Sequence, residues 1–264
     1  MERVKIGIIG PGNIGTDLLY KVRRSKYLHP ELVVNIIDSE GIRLAKSMGI
    51  STSIEGADAI IADEDIRIVF DCTSAKAHLE HAPKLKAAGK FTLDLTPAAV
   101  GPFCVPAVNL DDELLNQDNL NLVTCAGQAT TPFVAAINEV ADVYYAEIVS
   151  SISSKSAGPG TRANIDEFTI TTREALMKIG GADTAKVLFI LNPAEPPIYM
   201  SNTIYARVRN VDMDKIVAAL NKRLEEMCRY VPGVRFRMEP VLKYKDDDIV
   251  MLIVEVAGLG DYLP

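Results

Sequence analysis

The chain has 264 residues, 48% of them hydrophobic and 24% charged, so it can bury one large or two medium-sized cores. Its net charge of -7 and its lack of a basic cluster argue against nucleic acid as a partner. No apolar run has the length of a membrane span and no signal-peptide pattern opens the chain, so we expect a cytoplasmic protein. The cysteines are widely spaced without a CxxC pair, which argues against structural zinc and against disulfides.

The first predicted strand, residues 4–9, is followed by a glycine-rich turn and a helix that starts near Thr16. The turn has a G-x-G-x-x-G pattern, formed by Gly10, Pro11, Gly12, Asn13, Ile14 and Gly15. Glycines in this pattern permit a tight turn, a close approach of the backbone to a pyrophosphate and close packing of the helix. We therefore predict a dinucleotide at this turn, with a glycine-rich turn that binds nothing as the alternative.

A second predicted strand, residues 32–37, ends at Asp38. Asp38 follows the glycine turn by roughly the 20 residues expected for the acid that binds a ribose hydroxyl. An acid at this position favours NAD over NADP, and the nearby Arg43 weakens that preference.

Strands and helices then alternate, which predicts a Rossmann-type, doubly wound parallel sheet. The predicted helices are residues 41–48, 57–62 and 75–88, and the predicted strands are residues 66–70 and 91–95. Ligands gather at the carboxyl ends of such strands. The residues at these ends are Thr73, Ser74, Thr96 and Pro97, which could line a cofactor site or serve as helix caps and turn residues. His78 and His81 fall on a polar helix face and are predicted to be solvated.

A short apolar run, residues 120–123, is read as a buried strand that leads to Cys125. Thr130 or Thr131 is predicted to cap a helix that has Pro132 at its first position and runs to about residue 141. Cys125 would then lie close to a helix N-terminus, whose amides and dipole should lower the pKa of its thiol. Free cysteines are often buried small hydrophobes, so a nucleophile and a packing residue both stand as interpretations.

Beyond Cys125, longer strands with hairpin links predict a second α+β domain with a mixed or antiparallel sheet. We place the boundary between residues 125 and 126. The predicted strands are residues 146–153, 186–191, 203–208, 234–243 and 249–256, and the predicted helices are residues 165–179 and 212–230. A loop rich in glycine and hydroxyl groups, residues 154–164, precedes the first of these helices. Glu195 lies in a proline-rich stretch, where it could contact substrate or stabilise a turn.

At this point the chain resembles the acylating acetaldehyde dehydrogenases, bacterial enzymes that pair with a 4-hydroxy-2-oxovalerate aldolase. The resemblance runs from Ile8 to Pro264. Its most specific segments are Val123-Thr124-Cys125-Ala126-Gly127-Gln128-Ala129-Thr130, residues 153–168 and Leu191-Asn192-Pro193-Ala194-Glu195-Pro196-Pro197. The resemblance implies a fold like that of glyceraldehyde-phosphate and semialdehyde dehydrogenases. It also implies oxidation of acetaldehyde, or of a slightly longer aldehyde, to an acyl-CoA, with NAD as cofactor and coenzyme A as co-substrate.

The resemblance also assigns roles to individual residues. It implies that Cys125 is the acyl-thioester nucleophile, that residues 1–125 bind NAD and that residues 126–264 carry the catalytic and dimerisation parts. The NAD contacts in the second half would be Ser156, Ala157, Gly158, Pro159, Gly160, Thr161, Arg162, Ala163 and Asn164. It implies a homodimer and offers an aldolase as a candidate partner, and it implies no metal. Lys155 and Arg162 are candidate cationic helpers, and backbone amides of residues 127–131 or Asn164 could stabilise an oxyanion.

The sequence departs from the family pattern in two places. Asn202 stands where relatives carry an aspartate that is a candidate acid or base, and an amide cannot take a proton. Relatives also continue beyond Pro264 into a segment that is expected to contact the cofactor. Two alternatives therefore stay open. One is an NAD-binding scaffold subunit for an aldolase with little activity, and the other is a phosphate-using semialdehyde dehydrogenase, in which we would expect a histidine after the cysteine.

Overall fold

A computed structural model describes residues 2–244, 248–258 and 262–263, which form two sheets with helices packed on them. The strands of the first sheet are β1 (Val4–Ile9), β2 (Leu28–Val34), β3 (Ser51–Ser53), β4 (Ile68–Asp71), β5 (Phe91–Asp94) and β6 (Asn119–Asn121). The helices between and after them are α1 (Asn13–Arg23), α2 (Glu40–Ser47), α3 (Ala57–Ala62), α4 (Ala75–Ala87), α5 (Pro106–Asn109) and α6 (Asp112–Leu115). All strands run parallel in the order β3-β2-β1-β4-β5-β6, which confirms the predicted doubly wound sheet.

The second half of the chain builds a mixed sheet around one buried helix. Its elements are α7 (Cys125–Asn138), β7 (Asp142–Ser153), α8 (Pro159–Ala163), α9 (Ile165–Lys178), β8 (Thr184–Asn192), β9 (Met200–Arg209), α10 (Met213–Cys228), β10 (Val234–Tyr244) and β11 (Ile249–Val256). The order is β10-β11-β9-β7-β8, with β7 and β8 parallel and the other pairs antiparallel. The predicted second α+β unit is therefore confirmed. The boundary between residues 125 and 126 stays a prediction.

The core of the second half lies between one face of its sheet and helices α7, α9 and α10. Phe133 and Ile137 of α7 and Leu220 of α10 are fully buried there against strand residues such as Ile148 and Leu252. The opposite face of the sheet carries no helix among the described residues. None of the helices that the described residues form has the length and apolar character that crossing a membrane requires.

Helix α7 begins earlier than predicted. Thr124 is its N-cap, because the Thr124 hydroxyl accepts a hydrogen bond from the amide of Gly127 at 2.9 Å. Thr130 and Thr131, the predicted caps, are buried inside the helix, and the Thr130 hydroxyl donates to the carbonyl of Ala126. Pro132 is also an interior residue, although proline removes one hydrogen bond from the helical ladder. The prediction that Pro132 opens this helix is therefore wrong.

Strand β2 also differs from its predicted bounds, since it ends at Val34 instead of residue 37. Asn35 ends the strand because its side chain accepts from the amide of Ile36 and donates to the hydroxyl of Ser39. Ile36 and Ile37 are then exposed, at 78% and 62%. Two other strands were placed correctly: β1 and β11 have their predicted bounds. The predicted link before β11, Lys245-Asp246-Asp247-Asp248, lies outside the described residues except for Asp248.

The glycine turn after β1 is fixed by close backbone contacts. Gly10 has a φ of 80°, a conformation that favours glycine. A Cβ atom at Gly15 would lie 2.4 Å from the carbonyl oxygen of Gly10, so the helix packs directly on the turn. At Gly41, in the first turn of α2, a Cβ would lie 1.9 Å from the carbonyl oxygen of Pro11. The turn is thus held from both sides by backbone that admits no side chain.

Replacing Gly41 by alanine should lower the free energy of unfolding by about 1–3 kcal/mol, because the new methyl group overpacks this contact. Gly12→Ala is the matched control, since its Cβ would meet no atom within 4 Å and its φ is -79°. Urea unfolding of the two variants measures the difference. Equal stability of Gly41→Ala and Gly12→Ala would show that close packing of α2 on the glycine turn does not contribute to stability.

Candidate active site

A cavity of about 620 Å³ lies at the carboxyl edge of the first sheet, where both halves of the chain contribute to its walls. Gly12 and Asn13 line it from the glycine turn, and Thr73 lines it from the segment after β4. Gly158 and Asn164 line it from the second half. Ligands of parallel α/β sheets bind in this position, outside the carboxyl ends of the strands.

Cys125 opens into this cavity as the first residue of α7. Its side chain is exposed, whereas Ala126 next to it is fully buried. The helix start is tied to α9 through the Thr124 hydroxyl, which lies 2.6 Å from that of Thr172. Since the Thr172 hydroxyl donates to the carbonyl of Phe168, the Thr124 hydroxyl is the donor in this contact. The thiol is therefore presented from a fixed helix end.

The surroundings of Cys125 do not favour a thiolate by themselves. Desolvation raises the pKa of the thiol to about 11, although the side chain is exposed toward the cavity. The backbone amides of Ala126 and Cys125 act in the opposite direction but do not offset this desolvation. The prediction of a lowered thiol pKa is therefore wrong, and a positive charge brought into the cavity is what would favour the thiolate.

The segment before Cys125 is held in an unusual backbone conformation. Val123 has a φ of 50°, which is rare for a β-branched residue and costs about 1–3 kcal/mol. Its amide donates to the side chain of Asn121 at 2.9 Å, and its side chain packs in a small core with Val105 and Ala175. Gln128 donates from its side chain to the carbonyl of Leu122 at 2.9 Å. These contacts keep the strained segment in place.

A loop from the second half, residues 154–164, covers the glycine turn. The side chain of Asn13 donates to the carbonyl of Lys155 at 3.1 Å. Arg162 holds the loop together by donating to the carbonyls of Ser154 and Ala157. Lys155 pairs with the exposed Glu195 at 2.8 Å. The two predicted cationic helpers, Lys155 and Arg162, therefore have structural partners, as does Glu195.

The cavity brings together many of the predicted site residues. Those that line it are Gly12, Asn13, Ile14, Cys125, Ser156, Gly158, Pro159, Gly160, Thr161 and Asn164. Those found elsewhere are Gly10, Pro11, Gly15, Asp38, Ala157, Arg162 and Ala163. Asp38 is exposed after the end of β2, with its carboxylate 3.9 Å from the guanidinium of Arg43. Its role toward a ribose stays a prediction.

Several smaller expectations are also resolved. Thr73 and Pro97 line the cavity. Ser74, by contrast, caps α4 by accepting from the amide of Ala77. The amides of Gly127 and Gln128 donate to Thr124 and those of residues 129–131 lie inside α7, so the predicted amides of residues 127–131 are not free to stabilise an oxyanion. Amides of the first helical turn remain suitable, namely those of Cys125 and Ala126.

Three neighbouring strands of the first sheet end in polar residues that stand in register. Asp71 closes β4, Asp94 closes β5 and Asn121 closes β6, and the ladder pairs Asp71 with Asp94 and Asp94 with Asn121. All three are fully buried, and so is His78 of α4, which reaches them from the helix above. We refer to Asp71, His78, Asp94 and Asn121 as the strand-end cluster.

Hydrogen bonds join the cluster internally. Nδ1 of His78 and Nδ1 of His81 each lie 2.9 Å from one carboxylate oxygen of Asp71. Asn121 donates to Asp94 at 2.7 Å, and Nε2 of His78 lies 3.4 Å from the same oxygen. The prediction that His78 and His81 are solvated is therefore wrong. Both imidazole rings instead contact the carboxylate of Asp71 at the edge of the sheet.

The cluster shifts the pKa values of its members. Burial alone would raise the pKa of Asp71, but hydrogen bonds from His78, His81 and Thr73 hold it well below its usual range. Burial acts to lower the pKa of His78, and the two carboxylates outweigh it and raise that pKa above 6.5. Burial raises the pKa of Asp94 despite the nearby imidazole. The sequence did hold a signal for this cluster, because each of three strands ends in Asp or Asn.

Asn202 lies away from this cluster, on β9 in the second sheet. Its side-chain oxygen accepts from the hydroxyl of Ser150 at 2.7 Å, and both residues are fully buried. The amide nitrogen has no hydrogen-bond partner among the described residues. The side chain of Asn202 is therefore an amide that accepts one hydrogen bond, and it has no titratable proton to exchange.

Comparison with known proteins gives consistent family matches. The family model for the dimerisation domain of prokaryotic acetaldehyde dehydrogenase matches residues 125–264. An acetaldehyde dehydrogenase of Carboxydothermus hydrogenoformans is 59% identical and covers 100% of this chain and 87% of its own length. One from Geobacillus genomosp. 3 is 50% identical and covers 99% of this chain and 88% of its own length.

Solved structures with the same fold include aspartate semialdehyde dehydrogenase II of Vibrio cholerae. Its TM-score is 0.68 with 14% sequence identity, and the alignment covers 97% of this chain and 93% of that one. At this identity the likeness shows the fold alone.

His78→Gln should lower stability in a pH-dependent manner. Because the pKa of His78 is raised in the fold, its contribution is complete below the unfolded value of 6.5 and is lost as pH rises through the folded pKa. We expect a loss on the order of 3 kcal/mol near pH ~6 and a smaller loss near pH ~9. Urea unfolding at both pH values measures it, with the exposed His29→Gln as control. A difference that does not change with pH would contradict this charge state.

Proposed function

The chain belongs to the acetaldehyde dehydrogenase family, and on this premise we propose that it oxidises acetaldehyde, or another short aliphatic aldehyde, to an acyl-CoA. The proposed oxidant is NAD and the proposed acyl acceptor is coenzyme A. The observation that carries the proposal is the position of Cys125. Its thiol opens, from the first position of a buried helix, into the cavity that Gly12 and Asn13 of the glycine turn also line.

The glycine turn fits a dinucleotide. Gly12 faces open space, since a Cβ there would meet nothing within 4 Å, so backbone can approach a pyrophosphate closely. Helix α1 starts at the next residue, and its free amides favour a phosphate. The exposed Ile36 and Ile37, at the end of the neighbouring strand β2, offer apolar surface for the adenine base. Residues 156–164 would cover the other side of the coenzyme.

The residues of the chain then perform an acyl transfer. The thiolate of Cys125 adds to the aldehyde carbon, and the resulting oxyanion lies at the start of α7, where the amides of Cys125 and Ala126 can stabilise it. A dinucleotide held at Gly12 and Asn13 would supply the hydride acceptor for this carbon and a positively charged ring in the cavity. A thioester on Cys125 results. The sulfur of coenzyme A takes over the acyl group, and Cys125 leaves as a thiolate.

Protein groups around Cys125 set conditions for this chemistry. The pKa of the thiol is raised to about 11, so the thiolate must form through a nearby positive charge. No histidine follows His81 in the sequence, which leaves the phosphate-using semialdehyde dehydrogenase without its expected histidine. Asn202 is hydrogen-bonded to Ser150 in the second sheet and takes no proton in this scheme. The protons that leave the thiols of Cys125 and of coenzyme A are therefore assigned to water.

We further propose that two copies pair through the open face of the second sheet. Leu188 and Ile190 of β8 are 42% and 47% exposed there, on the face opposite the buried Val187. The sheet ladder places Val149 beside Leu188, which continues this apolar surface across the strands. The family model that matches this half describes a dimerisation domain. Only the family resemblance supports an aldolase as a partner.

Acetaldehyde-dependent reduction of NAD, measured with and without coenzyme A, tests the function. We expect sustained NADH formation only when coenzyme A is present, because the acyl group must leave Cys125 before a second turnover. Replacing coenzyme A with inorganic phosphate is the control arm. Turnover with phosphate would favour a semialdehyde-type enzyme, and no reduction under either condition would favour a scaffold subunit.

Cys125→Ala should abolish this activity. We expect acyl-CoA formation to fall by at least about 1,000-fold, as removal of a covalent nucleophile does. NAD binding, followed by NADH fluorescence, should stay within about twofold of the unsubstituted protein, because the glycine turn and the start of α1, which are proposed to hold the pyrophosphate, are unchanged. Cys228→Ala, at the last residue of α10, is the matched control and should keep full activity. Retained turnover in Cys125→Ala would contradict the mechanism.

A further inference from the structure

The strand-end cluster is connected by hydrogen bonds to two separate walls of the cavity. On one side, His78 bonds to Asp71 at 2.9 Å, and the second carboxylate oxygen of Asp71 accepts from the amide and the hydroxyl of Thr73. Thr73 lines the cavity and packs against the glycine turn, where a Cβ at Gly10 would lie 2.7 Å from its methyl group. This arm fixes the wall on the side of the glycine turn.

The second arm leads to Cys125. Nε2 of His78 lies 3.4 Å from the oxygen of Asp94 that accepts from the side chain of Asn121. The oxygen of Asn121 accepts from the amide of Val123, the residue with a φ of 50° two positions before Cys125. The carbonyl of Thr96 accepts a second bond from Asn121. Each link of this arm is buried.

The charges that face His78 come from every element packed around it. They are Asp71 of β4, Asp94 of β5 and, on its own helix, His81. The thiol of Cys72 lies nearby, and its pKa is raised by burial and by both carboxylates. The pairs Lys84–Asp58 and Lys86–Asp118 lie at the surface. Two buried carboxylates thus meet at one imidazole.

Asn119 of β6 completes the surroundings of His78. Its side-chain nitrogen lies 2.9 Å from Nε2, and its oxygen is buried without a hydrogen-bond partner among the described residues. A half-turn of this amide would bring the oxygen to a protonated Nε2. The site can therefore hold an imidazolium with an acceptor at each nitrogen.

From this arrangement, and resting on the proposed role of Cys125, we propose that His78 is a positioning residue. It joins Asp71 to Asp94 and so fixes the spacing between the Thr73 wall and the segment of residues 121–125. The strained backbone of Val123 persists only while its surroundings hold it, and the Asn121 bond is part of those surroundings. With that bond secured, the amides of Cys125 and Ala126 stay directed at the sulfur.

The consequence is a measurable change in the thiol when the cluster is broken. Those two amides lower the pKa of Cys125 against a larger effect of desolvation. If the backbone torsions of residues 123–126 change when the segment relaxes, the two amides turn away from the sulfur and the pKa of the thiol rises further. A residue that only stabilised the fold would leave this pKa unchanged in a variant that stays folded.

Alkylation of Cys125 by iodoacetamide, followed by mass spectrometry of its peptide across a range of pH, is the test. We expect His78→Gln to move the pH midpoint of alkylation upward and to lower the rate near pH ~8 by at least about fivefold, since only the thiolate reacts. Asp94→Asn keeps the side-chain shape and should act in the same direction. The exposed His29→Gln should match the unsubstituted protein.

Thermal unfolding establishes which variants are folded, and Asp94→Asn alone decides the outcome if His78→Gln does not fold. A folded variant whose alkylation profile superimposes on that of the unsubstituted protein would overturn the positioning role. This result is distinct from failure of the proposed function, which would appear as retained acyl-CoA formation in Cys125→Ala. The alkylation profile needs no turnover and can be read in either case.

Discussion

The start of helix α7 is the constraint on which the candidate site depends. The Thr124 hydroxyl accepts from the amide of Gly127 and donates to Thr172 of α9, so one side chain both begins α7 and anchors it to α9. Cys125 is the next residue and therefore has no freedom to leave the cavity. Because α7 is buried along most of its length, the core of the second half fixes the axis along which its dipole acts.

Placing a thiol at a helix end does not by itself make it acidic. At Cys125 desolvation outweighs the amides of the first helical turn, so the pKa of the thiol is raised. At such a site a positive charge close to the sulfur would favour the thiolate. Loss of hydration raises the pKa of the thiol and the helix dipole lowers it, so the position of the sulfur relative to solvent and to the amides determines the net shift.

The sequence predicted the layout of both sheets because strand runs and glycine turns are local signals. The bounds of β1 and β11 were correct, and the glycine turn and Cys125 do meet in one cavity. It failed at α7, where Pro132 was taken as a start although Thr124 provides the cap. It failed again at His78, because burial of a polar helix face depends on carboxylates that arrive from two other strands. Those partners are distant in sequence and close only in the folded chain.

The bond from Asn13 to the carbonyl of Lys155 joins the glycine turn to the loop that covers it. A ligand held at the turn would therefore lie beside the contact that fixes the loop. Any effect of that ligand on the loop is reciprocal, because each changes the equilibrium constant of the other by the same factor.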